Sequence, residues 1–153
     1  MQKAKLIGVA VVGALLAWGG GHGAAAPESR KVPMLAVLVG QTFLRSVVDR
    51  DAKTASPLLA GTVNFDGLKV SGRKKVQAAF GRLLGRMKAR RRLKKVVVLP
   101  LGQARQLFGP PPARLQLPAR GDLVVAFGRF RRGGLIAVLA PEGDRWRVIA
   151  LTD

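Results

Sequence analysis

From Met34 onward, apolar residues fall at Leu35, Leu38, Val39, Phe43, Val47 and Val48. This is a helical stripe, and it predicts a first helix ending near Asp49. Asp51 or Ser56 is placed to cap a short second helix, with Pro57 tolerated only in its first turn and Gly61 as its stop. "TVNF", the turn pair Asp66-Gly67 and "LKVS" then predict a β-hairpin. Ser71 is the expected cap of a third helix. In it Val76, Ala79, Phe80, Leu83, Leu84 and Met87 recur at three- and four-residue spacing and cover one face. Gly81 and Gly85 lie beside that stripe. They weaken the helix by up to about 1 kcal/mol each relative to Ala, and the expected return is close packing on a sheet.

The second half of the chain changes period. "VVVLPL" reads as a strand ended by Pro100. The proline-rich segment from Gly109 to Pro118 cannot be a regular central strand and reads as a loop or an edge segment. Three further strands are expected over 122–130, 134–140 and 145–152, with Pro141 to Asp144 as the turn between the last two. Three helices and a hairpin followed by antiparallel strands make an α+β order. Such a sheet is expected to curl over the helices and enclose a cavity.

The first residues follow a different pattern. Lys3 and Lys5 precede an uncharged apolar run from Leu6 to Trp18, and small residues follow from Gly19 to Ala26. Residues 1–25 therefore read as a secretory signal cleaved after Ala24 or Ala25, with 26–33 as a polar linker and 34–153 as one domain. The rival reading is an uncleaved inner-membrane anchor over residues 6–26, although roughly 20 consecutive apolar residues are needed to span a bilayer. Cleavage would leave a periplasmic or secreted protein. The chain has no Cys, which removes disulfides, thiolate nucleophiles and thiolate metal sites from consideration.

The formal net charge is +19, enough to attract polyanions without specificity. Its densest stretch contains Arg82, Arg86, Arg90, Arg91, Arg92, Lys94 and Lys95. These are candidates for contact with anionic envelope polymers or a membrane surface. The stretch from Arg86 to Lys95 contains no aromatic residue, and base stacking needs exposed aromatics among the cations. With export expected, nucleic acid is a poor partner. The bland reading of the run is the polar side of a helix and the turn into the next strand.

The segment "FLRSVVDRDAKTASPLLAGTVNFDGLKVSGRKKVQAAFGRLL" and the closing "GDRWRVIALTD" resemble the nuclear-transport-factor-2-like superfamily, including its SnoaL-like branch. The resemblance rests on the acidic joint at Asp49 and Asp51, the strand and turn before the third helix, and Trp146 on the last strand. It implies a cone-like fold with three N-terminal helices packed on a curved, mainly antiparallel sheet. It further implies an open-ended cavity and frequent dimerisation through the sheet. The proline-rich segment departs from that pattern. The superfamily includes enzymes, binding modules and scaffolds, so fold alone assigns no activity.

Enzymes of this superfamily place Asp, His and Tyr groups inside the cone. Here the only His is His22, in the signal segment, and the chain has no Tyr. Acid–base chemistry needs a positioned base and an oxyanion donor. The one candidate base is Asp66, whose "FDG" setting also reads as an ordinary turn. No cofactor or metal site is expected: "GLKVSGRK" carries Arg73 and Lys74 where a phosphate-binding loop needs Lys and Ser or Thr. "RGD" at Arg120 to Asp122 reads as a loop entering a strand. The apolar candidates for a pocket wall are Phe43, Phe65, Phe80, Leu84, Phe127 and Trp146. The expected role is a non-enzymatic binder of a small apolar ligand or a protein partner in the bacterial envelope. The alternative is an electrostatic binder acting through residues 82–95.

Overall fold

The structure, a computed structural model, describes residues 31–87 and 92–153. The expected signal segment, most of the linker, and Arg90 and Arg91 of the basic run lie outside these residues. In chain order the elements are helices α1 (Met34–Val48) and α2 (Ala52–Ala55), strands β1 (Leu59–Phe65) and β2 (Leu68–Ser71), helix α3 (Arg73–Arg86), strand β3 (Lys95–Pro100), helix α4 (Leu101–Phe108), and strands β4 (Val124–Arg129), β5 (Gly134–Glu142) and β6 (Arg145–Thr152). The strands form one sheet in the order β2-β1-β6-β5-β4-β3. β1 runs parallel to β6 and every other neighbouring pair is antiparallel. The architecture is α+β, as the order of the sequence patterns predicts.

Local chemistry explains most boundaries. Asp66 (φ 51°) and Gly67 (φ 101°) both adopt left-handed backbone, the geometry a two-residue hairpin turn demands, and Phe65 pairs with Leu68 across it. The Asp51 carboxylate accepts the Thr54 backbone N–H at 3.0 Å and caps α2. Two expected boundaries differ. α2 gives way to a 3-10 turn at Ser56–Leu58, because Pro57 has no N–H to continue the ladder, and Gly61 lies inside β1. Ser71 is the last residue of β2, with its hydroxyl bonded to that of Thr62 at 3.1 Å. Gly72, at φ 95°, takes the capping position of α3 without a side-chain bond.

α1 and α3 cover one face of the sheet. Phe43, Leu44 and Val47 of α1 and Val76, Phe80 and Leu84 of α3 pack against Ala126, Leu135, Ala137, Leu139, Val148 and Leu151. The close approach comes from α1. A Cβ on Gly40 would lie 2.8 Å from the Ala126 Cβ, and one on Gly128 would lie 2.8 Å from Leu93 Cδ1. The expectation for α3 was different: Gly81 and Gly85 are exposed, with nothing within 4 Å of an added Cβ.

The other face is also apolar and is also covered. Val138, Ala140 and Ala150 lie beneath Leu101, Leu115 and Leu123. A bulge in β6 makes this possible. Val138 pairs with Ala150 and Leu139 with Val148, so Ile149 is left over. Val148 and Leu151 therefore serve the helical face while Ile149 and Ala150 serve the outer one. The proline-rich segment forms the outer cover as a loop with a 3-10 turn at Ala113–Leu115, and α4, which the sequence patterns did not predict, leads into it. Any dimer through this face would have to build on the chain's own cover.

Substitution separates the two kinds of glycine. Gly40→Ala is expected to destabilise the fold by about 1–3 kcal/mol through overpacking, whereas Gly81→Ala and Gly85→Ala should each stabilise α3 by about 0.5–1 kcal/mol. Urea unfolding midpoints give both signs. A neutral Gly40→Ala would show that the α1–β4 contact does not constrain the packing.

Candidate functional site

α3 presents two parallel rows toward the end of the sheet. Ala79, Leu83 and Met87, four residues apart, are half-buried, and Arg82 and Arg86 form an exposed row beside them. Between this flank of the helix and the sheet lies a cavity of about 460 Å³, within the roughly 300–1,000 Å³ range of small-molecule sites. The sheet contributes Phe65, Leu68, Leu135 and Leu151 as apolar lining, and Asp66, Thr152 and Asp153 as polar edge. The walls are apolar and the charges sit at the mouth.

The expected pocket residues separate. Only Phe65 lines the cavity. Phe43, Phe80 and Leu84 are buried behind it as packed core; the Phe80 ring centroid is 5.8 Å from that of Phe43 and 6.3 Å from that of Phe65. Trp146 packs on the same core from the opposite end of β6. Phe127 departs from the expectation. β4 turns Val124 and Ala126 toward the helices, so alternation sends Phe127 to the outer face, where it stacks on Phe108 of α4 at 5.6 Å. Leu68, Leu83, Met87 and Leu135 were missed. The four-residue recurrence of Ala79, Leu83 and Met87 was visible in the sequence, but nothing local distinguished cavity wall from core.

Asp66 is both a turn residue and part of the cavity edge. Its Oδ1 accepts hydrogen bonds from Arg114 Nε at 2.5 Å and from the Thr152 hydroxyl. The Thr152 bond, followed by that from Arg114, holds its carboxyl below its ordinary pKa of 3.8. Such a carboxylate is a poor proton acceptor. Behind it, buried Asn64 donates to the carbonyls of Arg114 (3.0 Å) and Leu115 (2.8 Å) and accepts from the Gly67 N–H at 2.6 Å. Together Asn64 and Asp66 clasp the outer cover to the hairpin. Among the described residues, no buried side-chain N or O lacks a hydrogen-bond partner, and no group of three His, Cys, Asp or Glu is placed to hold a metal ion.

The basic candidates that can be placed are all exposed: Arg82 and Arg86 on α3, Arg92 and Lys94 before β3, and Lys95 at its start. The register adds others. Lys95 pairs with Arg129 at the end of β4, and the β4–β5 turn that follows carries Arg131 and Arg132. These three arginines were not singled out in the sequence because they lie some forty residues from the basic run.

No family model matches the chain, and no curated protein is similar to it. Solved structures of similar outline exist. A protein of unknown function from Pectobacterium atrosepticum is 13% identical, with 82% of this chain and 94% of that chain covered and a TM-score of 0.48. An NTF2-like protein of unknown function from Pseudomonas putida is 15% identical, with coverage of 75% and 80% and a TM-score of 0.44. A protein of unknown function with a cystatin-like fold from Nostoc punctiforme is 10% identical, with coverage of 77% and 86% and a TM-score of 0.44. The functional reading rests on the chain's own residues.

Two measurements probe the clasp. Asn64→Ala strands the buried Leu115 carbonyl and the part-buried Arg114 carbonyl, a cost of about 1–3 kcal/mol, and should speed tryptic cleavage at Arg114 well beyond the wild-type rate. Asp66→Asn removes the ion pair while suiting the left-handed backbone. Because the folded pKa of Asp66 is depressed, its contribution is present above the unfolded value of about 3.9 and is lost as pH falls through the folded one. The stability difference between wild type and Asp66→Asn, at most about 1 kcal/mol for so exposed a pair, should be constant from pH 7 to 5 and vanish in stronger acid. A difference that grows on acidification would contradict this assignment.

Proposed function

We propose that the protein is a non-enzymatic binding domain that takes a small apolar ligand into the cavity between α3 and the end of the sheet. The observation that carries this reading is the lining itself: a space of about 460 Å³ walled by Phe65, Leu68, Ala79, Leu83, Met87, Leu135 and Leu151. Apolar walls with a few polar groups at the edge are the usual composition of a ligand site. Catalysis has little support there. Among the described residues, the acids at the edge are Asp66, held by Arg114 and Thr152, and Asp153, and no described His or Tyr lines the cavity to complete an acid–base pair.

The leader-like pattern of the first residues supports a site of action in the bacterial envelope, either free after cleavage or tethered through residues 6–26. No helix among the described residues is long and apolar enough to cross a membrane.

A neutral environment-sensitive dye such as N-phenylnaphthylamine tests the reading. Wild-type protein should bind it saturably. Ala79→Phe, which fills the cavity from the helix side, should weaken binding by about tenfold or more, equivalent to roughly 1.4 kcal/mol. An absence of saturable binding, or equal binding by Ala79→Phe, would refute it.

A further inference from the structure

One end of the sheet carries a cluster of cations that have no ion-pair partner among the described acids. The pairings Lys95 with Arg129, Arg129 with Gly134, Ile136 with Thr152, Leu151 with Phe65, and Phe65 with Leu68 run across all six strands at this end. The cavity opens here, since Leu68, Leu135 and Thr152 line it. Arg82 and Arg86 stand in its wall. Arg129, Arg131 and Arg132 lie at the neighbouring strand ends, and Arg92, Lys94 and Lys95 enter beside them. None of these side chains forms an ion pair with a described acid.

The opposite end is arranged differently. There Asp122 is paired with Arg120 at 2.7 Å, Glu142 with Arg147 at 3.5 Å and Asp144 with Arg145 at 3.8 Å. Each of these acids has a cationic partner beside it, although Arg73, Lys74 and Lys75 at the start of α3 and Arg105 of α4 form no ion pair with a described acid. At the cavity edge the Asp66 carboxylate already faces Arg114. Among the described residues that line the cavity, Asp153 is the other acid beside the Arg82 and Arg86 guanidiniums.

We infer that the ligand is an anionic amphiphile: an apolar chain or ring system seated against Leu83, Met87, Leu135 and Leu151, ending in a carboxylate or phosphate held by Arg82 and Arg86 at the mouth. This rests on the cavity reading above and adds the chemical class of the ligand. The aliphatic stem of an Arg packs along apolar surface while its guanidinium stays in water. Its planar fork matches carboxylate and phosphate oxygens. The more distant cations raise the local concentration of an anionic ligand, an effect that falls with ionic strength.

The test compares dodecanoate, dodecyl phosphate and the uncharged dodecanol as competitors of the neutral dye, all below their aggregation concentrations. At low salt both anions should bind about tenfold more tightly than dodecanol, and added salt should erase the preference. The double variant Arg82→Gln/Arg86→Gln, altered only at exposed positions, should lower the ratio of anion affinity to dodecanol affinity about tenfold. Dodecanol binding as tightly as the anions in the wild type, or an anion preference that survives the double variant, would overturn the inference and leave the cavity reading standing. Failure of every competitor together with the dye would remove both. Vesicles distinguish the source of the anion: sedimentation with phosphatidylglycerol vesicles but not phosphatidylcholine, with displacement of the dye, indicates a bilayer lipid. Sedimentation without dye displacement would place recognition on the cationic surface alone and defeat the proposal. Dye displacement by dodecanoate without vesicle binding supports a free amphiphile.

Discussion

The sheet is apolar on both faces, and much of the structure follows from having to cover both. β5 turns Leu135, Ala137 and Leu139 to the helices and Val138 and Ala140 away from them. Each face left in water would forfeit about 25 cal/mol for every Å² of apolar surface. α1 and α3 meet the inner demand. The outer one falls to Leu101, Leu115 and Leu123, carried by segments that have few strand or helix contacts of their own. A loop in that role needs anchors, because its backbone makes no ladder. The buried Asn64 amide supplies them by bonding the Arg114 and Leu115 carbonyls, and Asp66 adds the Arg114 guanidinium.

The same clasp shapes the site. Fixing Asp66 to Arg114 and Thr152 consumes a carboxylate that would otherwise face the cavity mouth as a free negative charge. The inner cover is incomplete where α3 passes the ends of β1, β5 and β6. The result is an apolar recess bordered by guanidiniums, next to strand ends that carry further cations. In a chain of charge +19, three of the four ion pairs among the described residues lie at the far end, where Arg120, Arg145 and Arg147 meet Asp122, Asp144 and Glu142. The imbalance is therefore local as well as global.

Much of the fold was legible because its signals are local. The α3 stripe, the Asp66-Gly67 turn, the Asp51 cap and the last three strands each follow from residues within a few positions of one another. α4 was not legible, since "LGQARQLF" is only eight residues long and has a narrow apolar face. The role of Gly40 depends on Ala126, more than eighty residues away, and that of Gly81 and Gly85 on the absence of any neighbour. The sequence puts Phe127 among the pocket candidates because an aromatic in a strand announces burial without announcing a face. The phase of β4 settles that, and the phase is set by pairing with β3 and β5.

Read alone, the sequence is enough for the fold class, most of the succession of elements, the strong positive charge, the lack of Tyr and of any His after His22, and the leader-like pattern of the first residues. All of these are properties of composition or of spacing within one element. Only the tertiary structure decided which apolar residues are wall and which are core, and which distant cations share a rim. It also decided that Asp66 is bound rather than poised. Those outcomes depend on strand register and on the bulge at Ile149, and register is a long-range property: one residue of slip exchanges the two faces of a strand.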